Sequence, residues 1–150
     1  MANWNSGQIL ISGKIRAIEN FIRRALSFPE TYPNIKRTLE CDDTHFFFKT
    51  DGELYLNDSD RIYLDLYQDD YIQIFNSDPD QEISIELSIT TPWGLDPDEA
   101  FSILSEYDNL TFNICVDEDS DNDTKYYYRR LIISKGNIIK NEIETEPRYE

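Results

Sequence analysis

Apolar and polar residues alternate most regularly between residues 61 and 89. Segments 61–67, 71–76 and 82–89 place isoleucine or leucine at every second position, and polar turn residues at 68–70 and 78–80 separate them. Alternation with a period of two is typical of strands that bury one face. The pattern predicts three consecutive strands, the third with these residues facing the core: Ile83, Ile85, Leu87 and Ile89.

Two other segments have the apolar spacing of helices. Residues 14–27 repeat apolar positions every three or four residues before Pro29. The second helix is predicted to begin at Asp96, which can cap it, with Pro97 at the first helical position and Glu99 placed for a capping box. The buried stripes are Ile15, Ile18, Phe21, Ile22, Ala25 and Leu26 in the first helix, and Ala100, Ile103, Leu104 and Tyr107 in the second.

The remaining segments complete the fold prediction. Residues 28–60 predict two short strands joined by an Asp51-Gly52 turn. Other strands are predicted at 7–12, 110–116, 126–134 and 138–143, before a frayed tail at 144–150. The order of elements predicts one α+β domain over residues 1–150 with a ferredoxin-like fold. Two helices would pack on one face of a mainly antiparallel sheet, with an extra loop and strand insertion in the N-terminal half.

The negative charge is concentrated in the middle of the chain. The net charge is −16, but residues 38–124 contain 24 Asp or Glu and two Lys or Arg, a net charge of −22. Residues 1–37 and 125–150 carry net charges of +4 and +2. A field of this sign repels nucleic acids and acidic membranes and attracts basic surfaces. We therefore expect a basic protein partner, with no direct contact to nucleic acid or membrane.

The cysteines and the N-terminus indicate a compartment. Cys41 and Cys115 have neither metal-ligand spacing nor a disulfide-framework pattern, which predicts two reduced thiols. The first residues carry no basic region, and the apolar run Ile9-Leu10-Ile11 is too short for a signal sequence or a membrane span. The sequence thus predicts a protein of the host cell cytosol.

Two stretches of the chain, one opening on Asn3-Trp4 and the other on Thr91-Pro92-Trp93-Gly94, resemble the YubB/Api-type ferredoxin-like family of phage and plasmid proteins. Near the start, Asn3-Trp4 and Ile9-Leu10-Ile11-Ser12-Gly13 precede the first helix. Residues 91–97 read Thr-Pro-Trp-Gly-Leu-Asp-Pro, and Leu104-Ser105-Glu106-Tyr107 and Asn109-Leu110-Thr111-Phe112 follow. The likeness covers about half of the chain, and Asn5 replaces a cysteine usual in the family. It implies a ferredoxin-like fold and a mobile-element origin, and brings no catalytic residues.

The acidic turn at 117–124 partly matches a calcium-binding loop. Asp117, Asp119, Asp121 and Asp123 alternate as the first ligands of such a loop do. However, Asn122 stands where glycine is needed, and the closing Glu would fall on Tyr128. The sequence therefore predicts a solvated hairpin turn here, with any binding of divalent ions weak.

No constellation for catalysis is legible in the sequence. His45 is the one histidine and has no recognisable partner residues for acid–base or zinc chemistry. Phosphate loops and nucleophile motifs are also missing from the sequence, so neither an enzyme nor a cofactor is expected, although a carboxylate-based metal-dependent enzyme stays a weaker alternative. Arg129 and Arg130 beside Tyr126–Tyr128 are typical of nucleic-acid readers, but in so acidic a chain we expect these arginines to pair with neighbouring acids.

The outward face of the central strands is the predicted binding surface. Aromatic rings alternate there with carboxylates, which would give aromatic anchors inside a charged rim. The alternative is that residues 28–60 fold over this face and bury the rings. Together with the acidic turn, the predicted partner-binding residues are Tyr63, Asp65, Tyr67, Asp69, Asp70, Phe75, Glu82, Glu86, Asp117, Glu118, Asp119, Asp121 and Asp123.

Charge and family resemblance together favour an inhibitor. Spaced carboxylates on a rigid sheet can imitate nucleic-acid phosphates and occupy the basic groove of a host defence nuclease, as an anti-CRISPR or anti-restriction protein would. An immunity protein that neutralises a cognate toxin is the alternative, since it would also be acidic and cytosolic. The sequence leaves the target and the oligomeric state open.

Overall fold

The computed structural model describes residues 4–27, 37–41, 45–50, 54–56, 62–64, 71–75, 78–118 and 124–147. This part of the chain contains two helices and eleven strands. The helices are α1 (Ile15–Ala25) and α2 (Pro97–Leu104). The strands are β1 (Trp4–Lys14), β2 (Leu26–Ser27), β3 (Arg37–Cys41), β4 (His45–Thr50), β5 (Leu54–Leu56), β6 (Tyr63–Leu64), β7 (Tyr71–Phe75), β8 (Glu82–Pro92), β9 (Thr111–Glu118), β10 (Lys125–Ser134) and β11 (Asn137–Pro147).

The described strands form two antiparallel sheets. The larger sheet has eight strands in the order β11-β10-β9-β1-β8-β6-β5-β2, and the smaller has three in the order β3-β4-β7. Strand β1 is central, since it pairs with β8 along its whole length and with β9 from Gly7 to Ser12. The other strands of the large sheet lie on its two sides, with β9, β10 and β11 on one side and β8, β6, β5 and β2 on the other.

The predicted ferredoxin-like fold is wrong. The structure is dominated by antiparallel strands, and the two helices of its described part are short, with 11 and 8 residues. Strands β10 and β11 extend the large sheet well beyond a compact unit of two helices on a sheet. Hydrophobic periodicity gives each segment a type and a buried face, but it carries no information on how many strands join one sheet.

The three strands predicted between residues 61 and 89 are present, but they are not neighbours in one sheet. Strand β6 pairs with β8, whereas β7 pairs with β4 in the smaller sheet. At the C-terminus, β11 continues to Pro147, where a frayed tail was predicted from Glu144. The predicted Asp51-Gly52 turn and the turn at 68–70 lie outside the described residues. Strand partners depend on contacts between segments distant in sequence, which local alternation does not encode.

Both predicted helices are present at the expected places. Helix α1 buries one face, and its basic residues Arg23 and Arg24 lie exposed in the last turn, where cations suit the helix dipole. Helix α2 starts as predicted. The Asp96 carboxylate accepts hydrogen bonds from the backbone N–H groups of Asp98 at 3.0 Å and Glu99 at 3.3 Å. Pro97 lacks the N–H that a first-turn residue would leave unsatisfied.

One hydrophobic cluster joins the two helices to one face of the large sheet. Phe21 of α1 lies at its centre, with its ring centroid 5.0 Å from that of Tyr107 and 5.2 Å from that of Phe112. The strands contribute alternate residues to the cluster, as the period of two requires. The strand residues buried there include Ile9, Ile11, Leu56, Leu64, Leu87, Ile89, Phe112, Ile114, Val116, Leu131 and Ile133.

Gly7 allows β1 to lie against β9. A side-chain carbon at this position would stand 2.1 Å from the backbone oxygen of Cys115. No side chain fits at that distance, so the approach of the two backbones requires glycine here. The same small residue leaves room on the sheet surface beside it.

Removal of the Phe21 ring is expected to cost about 3–5 kcal/mol of the free energy of unfolding, because the ring is fully buried between two other aromatic rings. Urea unfolding of Phe21→Ala followed by circular dichroism measures this. The matched control is Asn20→Ala on the exposed side of the same helix, where a change within about 0.5 kcal/mol is expected. A loss for Phe21→Ala no larger than for the control would show that α1 does not pack as described.

Candidate binding surface

The side of the large sheet that faces away from the core is polar and accessible. Alternate residues of β1, β8 and β9 point to this side, and their serine, glutamine and asparagine side chains replace the isoleucines of the core side. We call this surface the open face. Its central residues are Ser6, Gln8, Leu10, Glu82, Ser84, Glu86, Ser88, Asn113, Cys115 and Asp117.

A groove of about 500 Å³ crosses the open face between β8, β1 and β9. Small side chains form it, since Ser6, Gly7 and Ser88 leave space beside longer neighbours. The groove is rich in groups that donate or accept hydrogen bonds, among them the amide of Gln8 and the carboxylate of Asp117. The full set of lining residues is Ser6, Gly7, Gln8, Ser88, Ile89, Cys115 and Asp117.

Exposed aromatic side chains lie at one end of the open face. Trp4 pairs in register with Pro92, and its ring packs edge-on against Tyr63 with centroids 5.6 Å apart. Trp4 is 58% exposed and Trp93 is 60% exposed. Tryptophans with this much surface in solvent are unusual in a monomer and are the residue type most enriched at binding hot spots.

The backbone at Trp93 is strained. Its φ angle is 65°, a left-handed conformation that bulky side chains rarely adopt, and Gly94 follows with φ at 90°. This pair of left-handed residues turns the chain from β8 towards α2 and leaves the indole in solvent. A strained exposed residue is a reason to look for function, because strain of about 1–3 kcal/mol persists only where the surroundings enforce it.

Three carboxylates of the open face are exposed to solvent: Glu82, Glu86 and Asp117. In register, Glu86 lies opposite Leu10, and Glu82 lies opposite Lys14. The backbone oxygen of Asp117 accepts a hydrogen bond of 2.8 Å from the buried amide of Asn5, which fixes the end of β9 against β1. The carboxylate of Asp117 therefore has a rigid base.

Glu118 is directed differently from Asp117. Its carboxylate receives the Nε–H of Arg129 at 2.8 Å, and both side chains are 21% exposed. Arg129 also donates to the side-chain oxygen of Asn141 at 2.7 Å. This half-buried pair ties β9 to β10 and β11, so Glu118 stabilises the sheet and is not available to a partner as Asp117 is.

The C-terminal hairpin carries a network of opposite charges. Lys140 contacts Glu144 at 2.7 Å and Glu142 at 3.0 Å. The hydrogen bond to Glu144 is the main cause of a raised pKa at Lys140, and the same bond is the main cause of a lowered pKa at Glu144. Tyr128 has a raised pKa because its hydroxyl faces Glu144, and it also donates to Glu146 at 3.2 Å. These acids are already neutralised in part by their neighbours.

The expected pairing of both arginines with acids is confirmed. Arg130 lies 3.5 Å from the carboxylate of Glu144, donates to Asn113 at 3.0 Å and stacks over the Tyr128 ring at 5.8 Å. Arg129 pairs with Glu118 as described above. A guanidinium held in this way has fewer donors left for nucleic-acid phosphates.

The structure brings part of the predicted surface together and separates the rest. Tyr63, Glu82, Glu86 and Asp117 share the open face or its aromatic end. Phe75 does not join this surface, because its strand β7 belongs to the smaller sheet. Glu118 is not available either, because its carboxylate is paired with Arg129. The positions of Asp65, Tyr67, Asp69, Asp70, Asp119, Asp121 and Asp123 lie outside the described residues.

Trp4 and Trp93 were not among the predicted binding residues. Alternation from Asn5 and Ile9 would have placed Trp4 on the outer face of β1, and Trp93 lies between proline and glycine, which signals a turn.

Among the described residues, no group of three or more His, Cys, Asp or Glu is arranged to hold a metal ion. The described helices also include none long and apolar enough to cross a membrane.

Cys115 is expected to react slowly with alkylating agents. Burial raises the pKa of its thiol above the ordinary value of 9.0, and nearby Arg130 only partly opposes this shift. Little thiolate therefore forms at neutral pH, and the alkylation rate should rise with pH and level off only above pH 9. Mass spectrometry of the Cys115 peptide after iodoacetamide treatment over a pH series measures the rate. Arg130→Gln should move the profile to still higher pH, and a shift to lower pH would contradict this assignment.

Comparison with known proteins gives no relative whose binding site could be compared with this surface. No protein family model, curated protein or solved structure matches the chain. The resemblance to YubB/Api-type proteins thus stays a prediction from the residues quoted above, and the geometry of the open face is the main guide to function.

Proposed function

We propose that the protein is an acidic inhibitor of phage or mobile-element origin, which acts in the host cytosol on a basic, nucleic-acid-handling defence protein. Binding takes place on the open face, and the protein is not an enzyme. The observation that carries the proposal is that the open face presents exposed carboxylates along β8 and β9, with the exposed ring of Trp4 at one end of β1 and Trp93 just beyond the same end of β8. The partner is of the kind targeted by anti-CRISPR and anti-restriction proteins.

The two components of the surface have different tasks. Carboxylates at Glu82, Glu86 and Asp117 add to a net charge of −16 and attract a basic groove over a distance, which increases the rate of association. Trp4 and Trp93 supply the area that is buried on contact and slow the dissociation of the complex. Attraction alone would give a weak, unspecific complex, and the aromatic end provides the anchor.

The sheet suits this task because it is rigid. The open face lies on the back of strands whose other side forms the core, so its carboxylates keep fixed spacings. On the side of the sheet away from the helices, the long strands β1 and β8 present an extended surface that a nuclease groove can contact. A preformed surface spends little conformational entropy when the partner binds.

Neutralisation of the open face should reduce inhibition of a nuclease. The triple variant Glu82→Gln, Glu86→Gln, Asp117→Asn is compared with the wild type in DNA-cleavage assays using purified CRISPR effectors and restriction endonucleases with basic grooves. We expect inhibition to weaken by about a hundredfold at low salt, since three charge pairs of roughly 1 kcal/mol each are lost. High salt should weaken the wild type and narrow the difference.

The matched control removes the same charge elsewhere. Asp98→Asn, Glu106→Gln and Asp108→Asn lie exposed on and after α2, away from the open face, and also change the net charge by three. If this triple variant weakens inhibition equally, only total charge matters and the open face is not the site. Inhibition that is unchanged between low and high salt would count against nucleic-acid mimicry.

The aromatic end is tested separately. Trp4→Ala and Trp93→Ala should each weaken binding to an inhibited nuclease by about thirtyfold, the effect of a hot spot of about 2 kcal/mol. Trp4→Phe should retain part of the affinity because a ring still packs on Tyr63. Calorimetry or surface plasmon resonance measures the affinity, and unfolding midpoints show that the variants fold. Equal affinity of both alanine variants and the wild type would remove the tryptophans from the interface.

A plating assay distinguishes the inhibitor from the immunity-protein alternative. Expression in a host that carries an active CRISPR or restriction system should raise the plating efficiency of a sensitive phage, and should have no effect in a host without that system. Protection against a cognate toxin with no change in plating would favour the immunity protein.

A further inference from the structure

The two edges of the large sheet differ greatly among the described strands. One edge is β2, with two residues, and the other is β11, with eleven. A long edge strand presents a row of backbone N–H and C=O groups that can pair with another strand. Strand β2 is too short to offer many backbone groups to another strand, so of these two edges β11 is the one suited to pairing with another chain.

Strand β11 also carries apolar side chains in solvent. Ile138 is 40% exposed, Ile139 is 64% exposed and Ile143 is 50% exposed. These isoleucines lie within six residues on one edge strand. A charged edge is a common protection against pairing, but here the charges alternate with exposed isoleucines, which leave apolar area to be covered.

We propose that β11 pairs antiparallel with β11 of a second copy of this chain, which joins the two large sheets edge to edge. A second copy is favoured because the strand is complementary to itself in charge. Its one lysine, Lys140, precedes the acids Glu142, Glu144 and Glu146 on the same face of the strand. Antiparallel pairing reverses one copy and brings the lysine of each opposite acids of the other, so that the contacts of Lys140 with Glu142 and Glu144 of its own strand extend into a network across both copies.

The charges select a single register. Two identical antiparallel strands can pair around a twofold axis with each sheet face continuous. One residue then lies directly opposite its own equivalent in the other copy, and the axis passes midway between the two. With Asn141 on the axis, Lys140 lies opposite Glu142 twice and no acid lies opposite another acid. With Glu142 on the axis, that residue faces its own copy, and with Ile143 on the axis, Glu142 faces Glu144. Like charges directly opposite are destabilising, so the Asn141 register is favoured.

The same register pairs two of the three exposed isoleucines with each other, whereas Ile138 lies opposite Glu144. Around Asn141, Ile139 of one copy lies opposite Ile143 of the other, and the pair occurs twice. Residues 137–145 can then form a ladder between the copies. The ladder between β10 and β11 shifts register between Ile132 and Ile133, which leaves Ile139 as the extra residue of β11. This bulge gives the edge a local twist at Ile139 that the second copy must match.

This inference does not depend on the proposed function, but it bears on the surface that a partner meets. A twofold axis normal to the sheet places the open faces of both copies on the same side. The carboxylates of two chains would then line one continuous surface.

Charge reversal tests the pairing and its register. Sedimentation velocity over a wide concentration range should show a reversible dimer for the wild type. Lys140→Glu alone and Glu142→Lys alone each place like charges opposite one another and should weaken dimerisation by roughly tenfold or more. The double variant Lys140→Glu, Glu142→Lys restores opposite charges and should regain most of the wild-type affinity. A wild type that stays monomeric, or a double variant no better than the single ones, would overturn the proposal.

Cysteine cross-linking reads the register directly. Asn141→Cys should form a disulfide between two copies under mild oxidation, because each residue on the axis faces itself with side-chain carbons about 4.5–5.5 Å apart. Glu142→Cys is the matched control and should cross-link poorly, and the wild type gives the background from its native cysteines. Stronger cross-linking by Glu142→Cys than by Asn141→Cys would reject the Asn141 register. Nuclease inhibition by the monomeric single variants shows separately whether the proposed function stands.

Discussion

The structure depends on the pairing of β1 with two neighbours at once. Its ladder with β8 runs from Trp4 to Lys14, and its ladder with β9 runs from Gly7 to Ser12. Gly7 permits this arrangement because any side chain there would meet the backbone of β9. The register directs Ile9 and Ile11 into the core, and a slip of one residue would exchange core and solvent faces along the whole strand.

The same register creates the polar surface on the other side. The outward residues Ser6 and Ser88 are small, so a groove forms beside them where bulkier side chains would have filled the space. At its end, the pairing of Trp4 with Pro92 and the left-handed turn at Trp93 leave two indoles in solvent. Core and candidate surface are thus two results of one strand alignment, and the stability of the first keeps the second rigid.

Two groups of acids in the described residues have different roles. Glu118 and Glu144 are engaged by Arg129, Arg130 and Lys140, and they hold the C-terminal strands together. Glu82, Glu86 and Asp117 lie exposed on the open face, where they can act on a basic partner. The two proposals use separate surfaces, since partner binding involves the open face and self-pairing involves the edge of β11.

Local features of the sequence determined the elements: the alternation at 82–89 predicted β8, and Asp96-Pro97 predicted the start of α2. They also placed Glu82 and Glu86 on an outer face. Only the tertiary structure decided that β7 joins another sheet, that β9 includes Glu118 and that the described fold is dominated by strands. The reason is physical: alternation fixes which side of a strand is buried, but strand partners are chosen by backbone edges that meet across long sequence distances.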